Sequence, residues 1–330
     1  MKTKVAIVIP NLDGQDLLPA CLESLNAQTL PATIIVVDNA SVDDSVSFIQ
    51  SKFAGVVVLK NSKNLGFAGG VNTGIRYAVE NNFDYVALFN NDATAKPDWL
   101  KNLVDVLEKN QNCGIVTGKI LQDGKDIIDN TGESMSIWGV PFARSRGQKA
   151  DSKEPSSQVF GASGGSTLYR IKMFKQIGIF DEDFFAYYED ADINFRAQLA
   201  GWKVQYASNA TVNHKIGGTS GRMGNFTTYQ TLKNLPWLFI KNVPLGLMPK
   251  MLARFVLIYN LIYWRAIFSR RFLAALKAGL VSLFFMPKKL VQRWKIQSQK
   301  QVTNHYINSI LSHELPPNSS LKKLAKFFGS

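Results

Sequence analysis

Short β-branched apolar runs at residues 5–9, 33–37, 56–59 and 85–89 alternate with stretches of helical period near 14–27, 42–53 and 69–82. Strand–helix–strand alternation at this spacing predicts a mostly parallel, Rossmann-like sheet with helices on both faces. Ser41 followed by Asp44 predicts a capping box with Asp in the place of the usual Glu or Gln. Pro97 fits a first helical residue ahead of Asp98 and Trp99. Residues 121–160 are polar and aperiodic and predict a loop or hairpin excursion. After them come a Gly-rich turn (Gly161, Ala162, Ser163, Gly164, Gly165), a helix near 171–177 and an acidic loop at 181–192. A helix ending at Gly201 and a strand over 202–207 complete the pattern. Gly217, Gly218, Gly221 and Gly224 mark a flexible segment, after which the composition changes.

Charge sharpens that division. The chain of 330 residues carries a net +13, yet residues 226–330 hold sixteen Lys and Arg against one acid, Glu314, while residues 1–225 are close to neutral. The sequence therefore divides into an α/β unit over 1–225 and a basic helical region over 226–330, and a basic tail calls for an anionic partner. Cys21 and Cys113 are the only cysteines. They exclude a disulfide framework and fit a reducing compartment. The first apolar run ends at Pro10, too early for a secretory signal.

Acidic residues recur where strands end, which is where open α/β sheets bind ligands. Asp38 follows Ile34-Ile35-Val36-Val37, and Asp92 closes Asn90-Asn91-Asp92 after the fourth strand. Either carboxylate could bind a base, a ribose or a cation, or simply serve a turn or helix cap. Asn64-Leu65-Gly66-Phe67-Ala68-Gly69-Gly70 is a strand-to-helix loop that could approach phosphate with backbone N–H groups or act as a plain tight turn. It lacks the Gly-x-Gly-x-x-Gly and Gly-Lys-Ser/Thr signatures. The stretch Phe184-Phe185-Ala186-Tyr187-Tyr188-Glu189-Asp190-Ala191-Asp192 sets three carboxylates behind four aromatics. Acids at a helix start complement its dipole. An aromatic wall beside them also suits a sugar cleft and can raise a carboxylate toward general-base range. His214, one of three histidines, is either structural or a metal ligand.

Taken in order, Val8-Ile9-Pro10-Asn11, Val36-Val37-Asp38-Asn39-Ala40-Ser41, Asn64-Leu65-Gly66-Phe67-Ala68, Asn90-Asn91-Asp92, Glu189-Asp190-Ala191-Asp192 and His214 resemble glycosyltransferase family 2 of the GT-A fold. The likeness is to its rhamnosyltransferase-like and galactofuranosyltransferase-like branch. The resemblance implies an inverting, metal-dependent hexosyltransferase acting in cell-surface polysaccharide synthesis. Pro10, Asn11, Asp38, Asn39 and Asn64 would line the nucleotide pocket. Gly66, Asn90, Asn91, Gly165 and Glu189 would also contact substrate. Asp92 and His214 would hold Mg²⁺ or Mn²⁺, and Asp190 would be the base. Asn90 stands where the family carries the first Asp of its Asp-x-Asp motif, and a neutral amide is the weaker ligand for a hard cation. The donor would be a dTDP- or UDP-linked sugar, a deoxyhexose such as rhamnose, and the acceptor a glycan, in particular a lipid-linked one.

The uncharged tens at 255–264 and 278–287, bracketed by Arg254 and Arg265 and by Lys277 and Lys288, are too short to span a bilayer. Arg254 and Arg265 are about three helical turns apart and share a face. Basic residues among Trp, Phe and Leu describe a helix lying on an anionic membrane surface, which places the protein as a peripheral one on the cytoplasmic face of the cell membrane. The residues Lys322-Lys323-Leu324-Ala325-Lys326-Phe327-Phe328 repeat the pattern. A helical core packed on the first unit, or a dimer interface, accounts for the same residues. Nucleic acid is a poorer partner, since phosphate tracking needs an exposed basic face. Two rival functions remain: a sugar nucleotidyltransferase, which would carry a basic Gly-rich loop near its N-terminus, and a non-catalytic nucleotide-sugar-binding protein.

Overall fold

The computed structural model describes residues 3–152, 154–215, 224–315 and 317. The first half lays down strands β1 (Val5–Asn11), β2 (Thr33–Asp38), β3 (Val57–Lys60) and β4 (Tyr85–Phe89). Between them run helices α1 (Leu18–Asn26), α2 (Ser45–Lys52) and α3 (Gly66–Glu80). A short β5 (Ala93–Ala95) leads through α4 (Trp99–Lys109) into the long β6 (Cys113–Gln122). The polar excursion supplies β7 (Ile128–Asn130), the hairpin β8 (Glu133–Met135) and β9 (Pro141–Ala143), and β10 (Ser157–Val159). Then come β11 (Ser166–Arg170), α5 (Ile171–Ile177), α6 (Glu189–Leu199) and β12 (Lys203–His214). Helices α7 (Gly224–Asn242), α8 (Met248–Ile267), α9 (Phe272–Ser298) and α10 (Asn304–Ile310) follow.

The main sheet runs β10-β12-β6-β11-β4-β1-β2-β3. Strands β1 to β4 are mutually parallel, whereas β11 is antiparallel to both β4 and β6. This is the mixed α/β GT-A architecture. Strict alternation along β1 explains its two layers. Val5, Ile7 and Ile9 pack with α1 and α4 on one face, while Ala6 and Val8 pack with α3 on the other. The register Asn11↔Asp38 aligns the carboxyl ends of β1 and β2, and β4 ends beside them, so their polar terminal residues share one edge.

Three local expectations are corrected. Ser41 caps no helix: its hydroxyl accepts the Asp13 N–H (3.0 Å) and the Asn11 amide (3.3 Å), and α2 starts later, at Ser45. Tertiary bonds to the loop after β1 outcompete the local cap. Pro97 also lies outside its helix, which begins at Trp99; its carbonyl accepts the Thr29 N–H. The strand expected over 202–207 continues to His214, with a register irregularity against β6 between Tyr206 and Thr211.

The basic region is no mere appendage. A third core cluster joins Phe195 and Leu199 of α6 and Met135 of β8 to Leu235, Trp237 and Leu238 of α7 and to Phe255 of α8. The chain then returns, with Tyr306 of α10 donating to Gln198 Oε1 at 2.7 Å. The segment with Gly217, Gly218 and Gly221, and the terminal Lys322 to Phe328 motif, lie outside the described residues.

Candidate active site

The site begins with the polar ends of β1, β2 and β4. Pro10 and Asn11 close β1, and Asn11 is fully buried, accepting from the Asn91 amide at 2.9 Å. Asp38 at the end of β2 takes the Ser41 N–H on Oδ2, while its other oxygen is buried without a hydrogen-bond partner among the described residues. An unsatisfied carboxylate oxygen at a strand end is a ready acceptor for a ligand donor. Asn39 is committed inward instead: its amide donates to Gly66 O (3.0 Å) and accepts from Asn61 (2.8 Å). Asn64 Oδ1 accepts the Gly66 N–H at 2.8 Å, which folds the loop on itself. These two asparagines shape the wall rather than project from it.

Gly66 has φ +70°, and a Cβ there would run into the Phe185 backbone oxygen and ring. Its neighbour Ala68 donates its N–H to Phe185 O at 3.1 Å. The glycine-rich loop is therefore built for contact with the acidic turn. That turn is strained: Phe185, Tyr187 and Tyr188 all have φ between 66° and 70°. Such a conformation costs non-glycine residues roughly 1–3 kcal/mol each and persists only when its surroundings over-determine it. Helix α7 supplies the restraint. Asn234 Nδ2 donates to Phe184 O, Ala186 O and Tyr187 O at 2.8–3.0 Å, and Lys233 Nζ to Asp183 O at 3.0 Å.

Beneath the turn lies a buried ion cage. Lys241 meets Asp181 (2.6 Å) and Asp192 (2.8 Å), Lys289 meets Asp181 (2.9 Å) and Asp183 (2.6 Å), and Arg196 meets Asp192 (2.9 Å). Burial alone would raise the Asp181 carboxyl, yet Lys241 and Lys289 hold it well below its usual range. Asp192 is likewise held down against burial, by Lys241 and Arg196. The aromatics also differ from the expected wall: Phe184 is wholly buried, 6.0 Å from Trp237. It anchors the turn, and Lys241 sits 4.9 Å above its ring.

The carboxylates that remain face a different neighbourhood. Burial raises Asp190, whose oxygens, among the described residues, take backbone N–H groups alone, including the Ala191 N–H (2.8 Å) and a long Gly164 N–H (3.4 Å). Burial and then Asp190 push Glu189 well up, and its Oε2 has no hydrogen-bond partner among the described residues. A third member comes from β8: Glu133 is raised by burial, Asp190 and Glu189. Sequence reasoning missed Glu133, because it sits in the aperiodic excursion where no spacing marks it. Carboxylates whose environments favour the protonated form are candidates for general-base work.

The two halves meet across the β4–β11 pair. Ser166 is in register with Phe89, and Gly165 O accepts the Asn90 N–H at 3.0 Å. A Cβ on Gly165 would lie 2.8 Å from Asn90 Nδ2 and would push that side chain out of place. One residue earlier, Gly164 contacts Asp190. The asparagine–aspartate motif and the carboxylate turn thus touch two consecutive residues of one backbone segment.

On the far side, His214 pairs with Ala93 in the β12–β5 ladder. Its Nε2 lies 3.1 Å from Asp92 Oδ1, yet that oxygen is buried and makes no aligned hydrogen bond. Its Nδ1 lies 3.6 Å from Asp129 Oδ2, and Asp129 is itself paired with Arg146 at 3.1 Å. Burial opposes charging of the imidazole, but Asp129 and Asp92 outweigh it and raise it to about 9. Asp129 was also not foreseen. Among the described residues no cluster of three or more His, Cys, Asp or Glu forms a self-sufficient cation cage. The facing Asp92 and His214, with Asp92 Oδ1 left unsatisfied, fit a cation that takes its remaining ligands from a bound diphosphate.

This sheet, with polar strand ends opposite a carboxylate turn, defines a GT-A glycosyltransferase. The chain belongs to glycosyl transferase family 2, whose model matches residues 6–178. It is 27% identical over 223 residues to the N-acetylglucosaminyl-diphospho-decaprenol L-rhamnosyltransferase of Mycobacterium tuberculosis H37Rv, covering 61% of this chain and 72% of that protein. It is 26% identical over 214 residues to the rhamnosyltransferase WbbL of Escherichia coli K12, covering 61% of this chain and 80% of that protein. Two solved structures share the fold. Staphylococcus aureus TarS 1–349 aligns with TM-score 0.56 at 13% identity, covering 90% of each chain. The mannosyltransferase PcManGT from Pyrobaculum calidifontis, in complex with GDP-Man and Mn²⁺, gives 0.54 at 12% identity, covering 91% of this chain and 86% of that one. Family membership removes the nucleotidyltransferase alternative.

Proposed function

We propose that this glycosyltransferase moves a deoxyhexose such as rhamnose from a dTDP- or UDP-linked donor to a hydroxyl of a lipid-linked glycan, inverting the anomeric centre at the cytoplasmic face of the membrane. The observation that carries this reading is the short backbone path from Asn90 through Gly165 and Gly164 to Asp190, which sets a basic carboxylate beside the donor edge of the sheet. In this reading Asn11 and Asp38 line the nucleotide pocket, with Pro10, Asn39, Asn64 and Gly66 shaping it. Asn90, Asn91, Gly165 and Glu189 border the sugar.

Asp190 takes the proton of the acceptor hydroxyl. The oxygen attacks the anomeric carbon as the bond to the nucleoside diphosphate breaks on the opposite face, and the configuration inverts. Burial in the carboxylate turn disfavours the ionised form of Asp190 and so keeps its carboxylate basic. Asp92 and His214 would hold Mg²⁺ or Mn²⁺, which when bound offsets charge on the departing diphosphate. EDTA is expected to abolish transfer, and added Mg²⁺ or Mn²⁺ to restore it. Full activity in chelator would contradict the cation assignment.

The membrane assignment rests on surface chemistry. Of the sixteen large apolar side chains that the described residues expose, fifteen lie between Leu245 and Trp294, among them Trp264, Phe268, Phe284 and Trp294. Scattered exposure is ordinary, but one concentrated patch marks an interaction surface. The sequence expectation of no spanning-length segment needs revision, since Leu245–Ile267 is long and apolar enough to cross a membrane by length and composition. Helix α8 nevertheless commits Met251, Phe255 and Ile258 to the protein core, which favours lying in the interface. Each basic residue near an anionic leaflet contributes about 1 kcal/mol, screened by salt, whereas apolar insertion survives screening. Full-length protein is expected to float with anionic vesicles, to bind neutral ones more weakly, and to be released only in part by high salt. Binding indifferent to lipid charge would contradict an anionic partner.

A screen of several nucleotide sugars with a membrane extract tests the transfer itself. Incorporation from a dTDP- or UDP-linked deoxyhexose is expected; incorporation from no donor would overturn it.

A further inference from the structure

A cleft of about 640 Å³ lies between the β8–β9 hairpin, α7 and α8, apart from the donor edge of the sheet. Its walls are apolar, with Leu232, Ile258 and Ile262. Two α7 hydroxyls, Thr227 and Thr231, face it, and Arg265 and Arg271 are both exposed at its rim. Arg271 donates to Thr228 Oγ1 at 3.2 Å, and neither guanidinium meets a carboxylate within 4 Å among the described residues. Glu314 is the sole acid after residue 226, and the acids of the first unit that reach this region, Asp181, Asp183 and Asp192, pair with Lys241, Lys288 and Lys289 instead. Oily walls under a two-arginine rim suit an amphiphile with a phosphate-rich head, since guanidinium groups pair with phosphate oxygens through two parallel bonds.

Trp264 and Phe268 flank the rim on the exposed apolar face of α8, so a lipid chain leaving the cleft stays among apolar side chains. The cleft is also wired to the carboxylate turn: Thr227 Oγ1 and Tyr187 Oη are 3.2 Å apart, and the Thr231 hydroxyl is hydrogen-bonded to Tyr188. Tyr188 immediately precedes Glu189 and Asp190. We propose that this cleft binds the diphosphate head and first lipid segment of the acceptor, with Arg265 and Arg271 on the diphosphate and the attached sugar directed toward Asp190. This proposal rests on the glycosyl-transfer reading and names where its acceptor is held.

The test is a binding measurement on the full chain, without a sugar donor. Flotation compares neutral vesicles doped with a long-chain polyprenyl diphosphate against vesicles of equal surface charge made with phosphatidylglycerol. The full chain is expected to prefer the diphosphate lipid by about tenfold or more, equivalent to roughly 1.4 kcal/mol. R265A/R271A should reduce that preference to near unity. R254A, which removes charge from the same helix outside the cleft, should retain it. All three positions are solvent-accessible, so thermal unfolding should match the parent chain. No preference in the parent chain, an unchanged preference in R265A/R271A, or an equal loss in R254A would each overturn the assignment. Because the readout is binding, failure of sugar transfer with every donor would overturn the transfer reading and leave this result standing.

Discussion

Replacing Asp190 with Asn is expected to lower turnover by at least 10²–10⁴-fold, about 2.7–5.5 kcal/mol of transition-state stabilisation, while donor affinity stays nearly unchanged. The amide preserves size and its oxygen can still accept the Ala191 N–H, so only the long Gly164 contact is given up. What it loses is the capacity to take a proton. Two other acids lie close in sequence, and their environments separate them. Asp192 is fully buried between Arg196 and Lys241, so it is ion-paired and withdrawn from any substrate. Glu189 is pushed well up by burial and then by Asp190, so it favours the protonated form beside an Asp190 that ionises first. Single-turnover kinetics with saturating acceptor, alongside donor titration, checks the expectation. Near-normal turnover in D190N would move the base elsewhere and leave Glu133 or Glu189 as the replacement.

Lys241→Met is expected to destabilise the protein by about 3–5 kcal/mol, because removing one partner of a buried ion cluster strands the others. Asp181 and Asp192 would then share too little positive charge, with Lys289 and Arg196 left to serve both. The cage also underlies the strained turn at Phe185, Tyr187 and Tyr188, so turnover should fall in whatever fraction remains folded. Urea unfolding followed by far-UV circular dichroism measures the change. A shift under about 1 kcal/mol would mean that the cage is solvated and does not hold the turn.

The sheet was legible in the sequence because its signal is local. Ile7 and Val8 alternate between faces whatever else the chain does, and the polar residues ending β1, β2 and β4 interrupt apolar runs plainly. The ordered motifs, from Asn11 to His214, followed from that. What was not legible depends on residues distant in the chain. Glu133 reaches Asp190 across more than fifty residues, and Asp129 reaches His214 across more than eighty. Lys233, Asn234, Lys241 and Lys289 read as part of a basic, membrane-facing tail. In the structure they turn inward and build the floor of the site. A lysine in a helix gives the same local pattern whether it faces lipid or a buried aspartate, and only the tertiary fold distinguishes the two. The capping expectation at Ser41 failed for the same reason, since a hydroxyl 28 residues from Asp13 found a better partner there.

Inverting transfer with Asp190 as base fixes one observable above all others, the anomeric configuration of the product. Full-length enzyme, a nucleotide sugar of defined anomeric form and a lipid-linked acceptor are incubated with Mg²⁺ or Mn²⁺, and the new linkage is read by proton NMR. A single product with configuration opposite to that of the donor is expected, formed by the parent chain and not by D190N at comparable rates. A product retaining the donor's configuration, or one formed equally well by D190N, would contradict it.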